Sequence, residues 1–157
     1  ASVEVIATGV LSLAAPAAYW VGLGRYDPPG WWLMLWVWLQ SAASIVYAYL
    51  RLEQRDLKQD QSNGVALSAS KGQERSVLWK MGNRAFLYTS FNLGLSLILG
   101  WANLIPQLIF IPFLLQWLET LWGIIHPSIG WKPVRIGMRQ FIVSSLWVIL
   151  FIIFNKP

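Results

Sequence analysis

The sequence predicts an all-α protein, a polytopic transmembrane helical bundle of about five spans with its N-terminus in the cytoplasm. Three observations carry that prediction. Hydrophobic residues make up 56% of the chain and charged residues 12%, whereas soluble domains are about one quarter charged. The apolar residues gather into charge-free runs of about twenty, the length of helix that crosses a ~30 Å hydrocarbon core. The basic residues, finally, fall on one side of those runs.

The runs come in order. "VIATGVLSLAAPAAYWVGL" (5–23) and "WWLMLWVWLQSAASIVYAYL" (31–50) flank "GRYDPPG" (24–30), a short turn built from helix breakers. A long basic loop, 51–84, follows; its charged ends can extend the flanking helices, and its middle, 61–73, is small, polar and aperiodic, reading as a flexible linker. "AFLYTSFNLGLSLILGW" (85–101) and "LIPQLIFIPFLLQWLETLWGII" (104–125) are joined so tightly that they should form a helical hairpin. Pro106 and Pro112 are expected to kink the second of these. "FIVSSLWVILFIIF" (141–154) becomes long enough to span if its helix begins at Gly137.

If these spans alternate in direction, Arg51, Arg55, Lys58, Lys71, Arg75, Lys80, Arg84, Lys132, Arg135 and Arg139 share one side, and only Arg25 and Lys156 lie opposite. That asymmetry sets the cytoplasmic side. It also absorbs the net charge of +5, so no nucleic-acid partner is expected. The absence of cysteine excludes disulfide and thiolate chemistry. No signal peptide is visible, and a chain that begins at Ala1 is expected to be processed or part of a longer one.

Polar residues inside the spans are the candidate functional groups. Pro112, Gln116, Glu119, Gly123 and His126 step along one helical face. Weaker stripes run through Thr89, Asn92 and Ser96, through Gln40, Ser44 and Tyr47, and through Thr8, Ser12 and Tyr19. Such side chains avoid lipid, so the stripes are expected to converge. Counted from the inner end of its span at 1.5 Å per residue, Glu119 lies roughly 9–10 Å inside the interface. A carboxylate there needs a partner or a task. Arg139, starting the last span from the same side, can reach it, with His126 above both. Two readings stand: an ion pair locking two helices, which is favoured, or a proton-handling or ligand-binding pair.

Metal chemistry has little to work with, and no metal site is predicted. One histidine and no cysteine make neither a His-rich nor a thiolate site, although His126 alone is of the type that ligates chlorophyll magnesium. Asp56 and Asp60 in "RLEQRDLKQD" (51–60) stand at helical spacing and are a weak candidate for Mg²⁺ against a diphosphate. Interleaved Arg51, Arg55 and Lys58 favour a solvated helix end instead. Eleven tryptophans divide into interfacial ones (Trp20, Trp31, Trp32, Trp79, Trp101, Trp131) and deep ones (Trp36, Trp38, Trp117, Trp122, Trp147). The deep set suits packing, or a flat ligand such as chlorophyll, carotenoid or another lipid.

"VYAYLRLEQR" (46–55) and the segment 100–154, with its "PVRIG" (133–137) and "LETLWGIIHP" (118–127), resemble the C-terminal part of the YwiC-like family of bacterial polytopic membrane proteins, cyanobacterial branch. Members of that family carry an N-terminal "HGAW"-type motif, which this sequence lacks, and the family brings no established activity with it. The multi-span layout is also loosely similar to UbiA-type prenyltransferases, whose two aspartate-rich motifs have one degenerate counterpart here, Asp56/Asp60. The resemblance implies a thylakoid or bacterial inner-membrane location.

Three functions follow as expectations. The leading one is a non-catalytic subunit packed among membrane lipids against a larger photosynthetic or respiratory complex, helped by the small-residue runs "LAAPAA" (13–18) and "SAAS" (41–44). The others are an isoprenoid- or lipid-handling enzyme and a small-solute transporter using Glu119.

Overall fold

The computed structural model describes residues 2–62 and 71–155, with side chains for 3–55 and 77–155. All of its regular structure is helical: α1 (Ser2–Leu11), α2 (Ala14–Leu23), α3 (Pro29–Ser62), α4 (Lys71–Trp101), a 3₁₀ turn (Gln107–Ile109), α5 (Phe110–Ile125) and α6 (Pro133–Phe154). Four stretches are long and apolar enough to cross a membrane: Val3–Leu23, Pro29–Arg55, Gln107–Ile125 and Pro133–Phe154. The expected third span, 85–101, is not among them. It lies within α4, where Arg84, Asn92 and several hydroxyls dilute the hydropathy.

Several local expectations are revised. The first span is two helices, broken at Ser12–Leu13. Pro16 has no N–H to offer the Ser12 carbonyl, which accepts instead from Ala15 at 3.1 Å. Pro106 and Pro112 do not kink the fourth span; they start it. Pro106 precedes the 3₁₀ turn and Pro112 lies in the first turn of α5, where a missing N–H costs nothing. The long loop is shorter than its composition suggests, because Gln61 and Ser62 finish α3 and Lys71–Gln73 begin α4. Residues 63–70, the heart of the expected linker, lie outside the described residues.

The chain forms two compact units, 1–45 and 46–157, and α3 contributes to both. In the first, aromatic side chains pin the short turn. Trp20 Nε1 donates to the Asp27 carbonyl at 2.7 Å, its ring covers Gly30, and Tyr19 donates to Asp27 at 3.2 Å. Trp38 Nε1 reaches the Val5 carbonyl at 2.9 Å, tying α3 to α1.

The second unit is an antiparallel array with a parallel addition. Gly100 lies against Gln107, and Gly82 against Ile124; between them Trp117 Nε1 donates to Ser90 at 3.0 Å. These pairs run in opposite directions along α4 and α5, so the hairpin forms. Its turn has the Schellman pattern: Leu104 N–H bonds to Leu99 O, Asn103 N–H to Gly100 O, and Asn103 takes the left-handed conformation at φ 55°. Phe113 packs edge-on against Trp147, setting α6 antiparallel to α5. The end of α3 runs parallel to α5, since Tyr47 meets Glu119 and Arg51 meets Gly123 and His126. Tyr47, Leu50, Ala85 and Ile124 form a buried apolar cluster among α3, α4 and α5.

Gly82 is the tightest point of the hairpin, because a Cβ there would stand 2.5 Å from Ile124 Cγ1. Gly82→Val is therefore expected to lower stability by about 1–3 kcal/mol, measured by unfolding in mixed detergent. Gly94→Ala, whose Cβ meets nothing within 4 Å, should be neutral or mildly stabilising in the same assay.

Candidate functional site

The polar groups of the second unit gather at one end of it, in two layers one helical turn apart. The first layer holds Glu119. Arg139 clasps it side-on, Nε to Oε1 at 2.7 Å and Nη2 to Oε2 at 2.9 Å. The Tyr47 hydroxyl donates to Oε1 at 2.8 Å. Parallel N–H···O bonds of this kind are charge-assisted and fix orientation as well as distance. Three helices, α3, α5 and α6, thus share one carboxylate.

The second layer is built around Arg51, only 1% exposed. Its Nη1 donates to the carbonyls of His126 (2.7 Å) and Gly123 (3.1 Å) and to Gln54 Oε1 (3.2 Å). Gln54, also fully buried, adds its Nε2 to Gly123 O at 3.1 Å and accepts from the Ser128 amide at 3.3 Å. Ser128 Oγ returns a bond to the Arg51 carbonyl at 2.6 Å. Helices leave their last carbonyls unpaired and carry a partial negative charge at that end. Arg51 and Gln54 cap the C-terminus of α5 from another helix. The Arg51 guanidinium also stands over the Trp131 ring at 5.1 Å and near Tyr47 at 5.9 Å, where its charge is attracted by the aromatic faces. Its Nη2 makes no hydrogen bond. Gly130, at φ 69°, turns the chain so that Trp131 N bonds to Ser128 O and the indole covers Arg51.

Gly123 has a steric role here. A Cβ on it would fall 2.5 Å from the Tyr47 ring and hydroxyl, the group that links the two layers.

The expected site residues separate. Glu119 and Arg139 come together. Gln116 is buried one turn before Glu119 in α5, with Thr120 Oγ1 bonded to its carbonyl at 3.0 Å. His126 does not sit above the ion pair: its imidazole is exposed and stacks on Trp122 with centroids 3.9 Å apart, and its contribution to the layer is its backbone carbonyl. The cause is the ending of α5 at Ile125, which takes residue 126 off the helical face. The other stripes are partly inward but inward-looking in a different sense. Thr89 and Ser96 are buried yet bond to carbonyls of their own helix; so do Thr8 and Ser12. Gln40 donates to Ser44 within α3. The side chains of Asp56 and Asp60 lie outside the described residues. Among the described residues no three His, Asp or Glu side chains gather into a metal-binding group.

The solvated helix end expected at Arg51 is corrected by the structure: Arg51 is buried, and so is Gln54 beside it. A signal for them does exist. Ala43, Tyr47, Leu50 and Gln54 step by 4, 3 and 4 and are all buried, so the inward stripe of α3 continues past the point where charge suggests the span stops.

Comparison with protein-family models, with curated proteins and with solved structures gives no match.

Arg51→Met should cost about 1–3 kcal/mol for each carbonyl left unsatisfied, read as a lower unfolding midpoint in detergent. Glu119→Gln and Arg139→Gln should each destabilise, and the double variant should lose less than their sum by about 0.5–3 kcal/mol. A coupling of zero in that cycle would mean that the pair ties nothing.

Proposed function

We propose that this chain is a non-catalytic integral membrane subunit that packs against a larger membrane complex. The observation that carries the reading is the outward face of α2. Ala14, Ala18 and Gly22 recur every fourth residue on exposed positions, and a side chain at Gly22 would meet nothing within 4 Å. Only 11% of the span Val3–Leu23 is buried. A small-residue face of this kind lets a partner helix approach to backbone contact, which is how helices associate where lipid removes the hydrophobic drive. The deep carboxylate supports the same reading, because Arg139 and Tyr47 already occupy its oxygens in tying helices.

The proposal includes five crossings and a cytoplasmic N-terminus. α4 pairs with α5 from Gly82/Ile124 to Gly100/Gln107, nearly the whole apolar length of α5, which supports a crossing by α4 alongside it. The parallel course of α3 and α5 also fits strict alternation. The basic residues at the Arg51, Lys80 and Lys132 end favour the cytoplasmic side for that end. A YwiC-like relationship and a thylakoid or bacterial inner membrane belong to the proposal on the strength of "VYAYLRLEQR" (46–55), "LETLWGIIHP" (118–127) and "PVRIG" (133–137).

Extraction in a mild detergent followed by a native mass measurement tests the reading. The 17.8 kDa chain should migrate in a much larger defined assembly, and Ala18→Leu with Gly22→Leu should release it with its helix content unchanged. A wild-type chain that runs as a free monomer would contradict the proposal.

A further inference from the structure

We infer that the start of α6 is a binding site for the headgroup of an anionic phospholipid, with Arg135 and Lys132 as its cationic contacts. Three observations meet there. First, the charge is uncompensated among the described residues. Glu119 is the last carboxylate side chain of the sequence and is taken by Arg139; Arg135 and Lys132 have no ion pair among the described residues and are exposed. Second, Arg135 is held in place. Its guanidinium stands 4.3 Å from the Trp131 ring centroid, and Trp131 is itself fixed by Arg51 and by the Gly130 turn. An arginine stacked this way loses less freedom on gripping a phosphate than one in open solution, and its planar fork suits phosphate oxygens. Lys132 immediately precedes α6, whose first turn has no side-chain cap, so the positive end of the helix adds to the field.

Third, an apolar track leads away from the cation. Met138, Ile142, Leu146, Ile149 and Ile153 follow Arg135 at steps of 3, 4, 4, 3 and 4, and every one is exposed. The track is roughly 22 Å long at 1.5 Å per residue, enough to accompany an acyl chain through its leaflet. Charge at the head and apolar surface below it match an anionic phospholipid; free phosphate would use only the head. The inference rests on the bilayer placement of α6 and is independent of any partner complex.

The test uses the purified full chain in detergent, titrated with phosphatidylglycerol or phosphatidylcholine of the same acyl length, with lipid adducts counted by native mass spectrometry. Phosphatidylglycerol should bind at concentrations about tenfold lower than phosphatidylcholine. Lys132→Gln with Arg135→Gln should erase that preference, and Lys80→Gln, which removes an exposed charge from the same end, should keep it. Equal binding of the two lipids by the unaltered chain would overturn the inference whatever the variants do. So would a preference that survives the double change, one lost equally in Lys80→Gln, or full displacement of the lipid by millimolar inorganic phosphate.

Discussion

The lower half of α5 places a carboxylate and a set of unpaired carbonyls in an apolar interior, and the packing of the second unit is arranged around satisfying them. A charge or a bare carbonyl in such surroundings costs several kcal/mol when left alone. Two cations answer, from two different helices. Arg139 arrives on α6 to neutralise Glu119, and Arg51 arrives on α3 to close the helix end at Gly123 and His126. Tyr47 joins the two layers, bonded to one and lying beneath the other. Without the α5 end, the bonds of Tyr47, Arg51, Gln54 and Arg139 to it would all be lost.

Geometry at this end also explains several residue choices that look unrelated along the chain. Gly82 and Gly123 are small because Ile124 and the Tyr47 ring occupy the space a side chain would take. Ser128 and Gln54 exchange bonds with the backbone they approach. Trp131 serves two arginines at once, Arg51 toward the interior and Arg135 toward the surface. It is the element through which a buried structural charge and an exposed charge become neighbours.

Much of this was legible in the residues. The helical class and four of the apolar stretches follow from composition and run length, and the reach of Arg139 to Glu119 follows from their distances to a shared turn. What escaped has a common physical origin. Arg51 looked like the end of a span because charge normally marks the interface, yet a guanidinium facing a helix C-terminus is satisfied without water. His126 continued a helical periodicity that the backbone abandons one residue earlier. A run of apolar residues does not mark where its helix starts, and Pro106 and Pro112 stand at that start, before the 3₁₀ turn and in the first turn of α5. Thr89 and Ser96 turned inward but found their partners on their own helix, a choice that periodicity cannot distinguish from a bond across the interface.

α3, α5 and α6 are tied at one end of a unit whose helices are long and apolar enough to cross a bilayer. Because the chain contains no cysteine, single cysteines introduced as Lys80→Cys, Asn103→Cys and Lys132→Cys can each be labelled in sealed membrane vesicles with an impermeant maleimide. Positions 80 and 132 should react from one face and position 103 only from the other. Labelling of 80 and 132 from opposite faces, or of all three from the same face, would contradict the account.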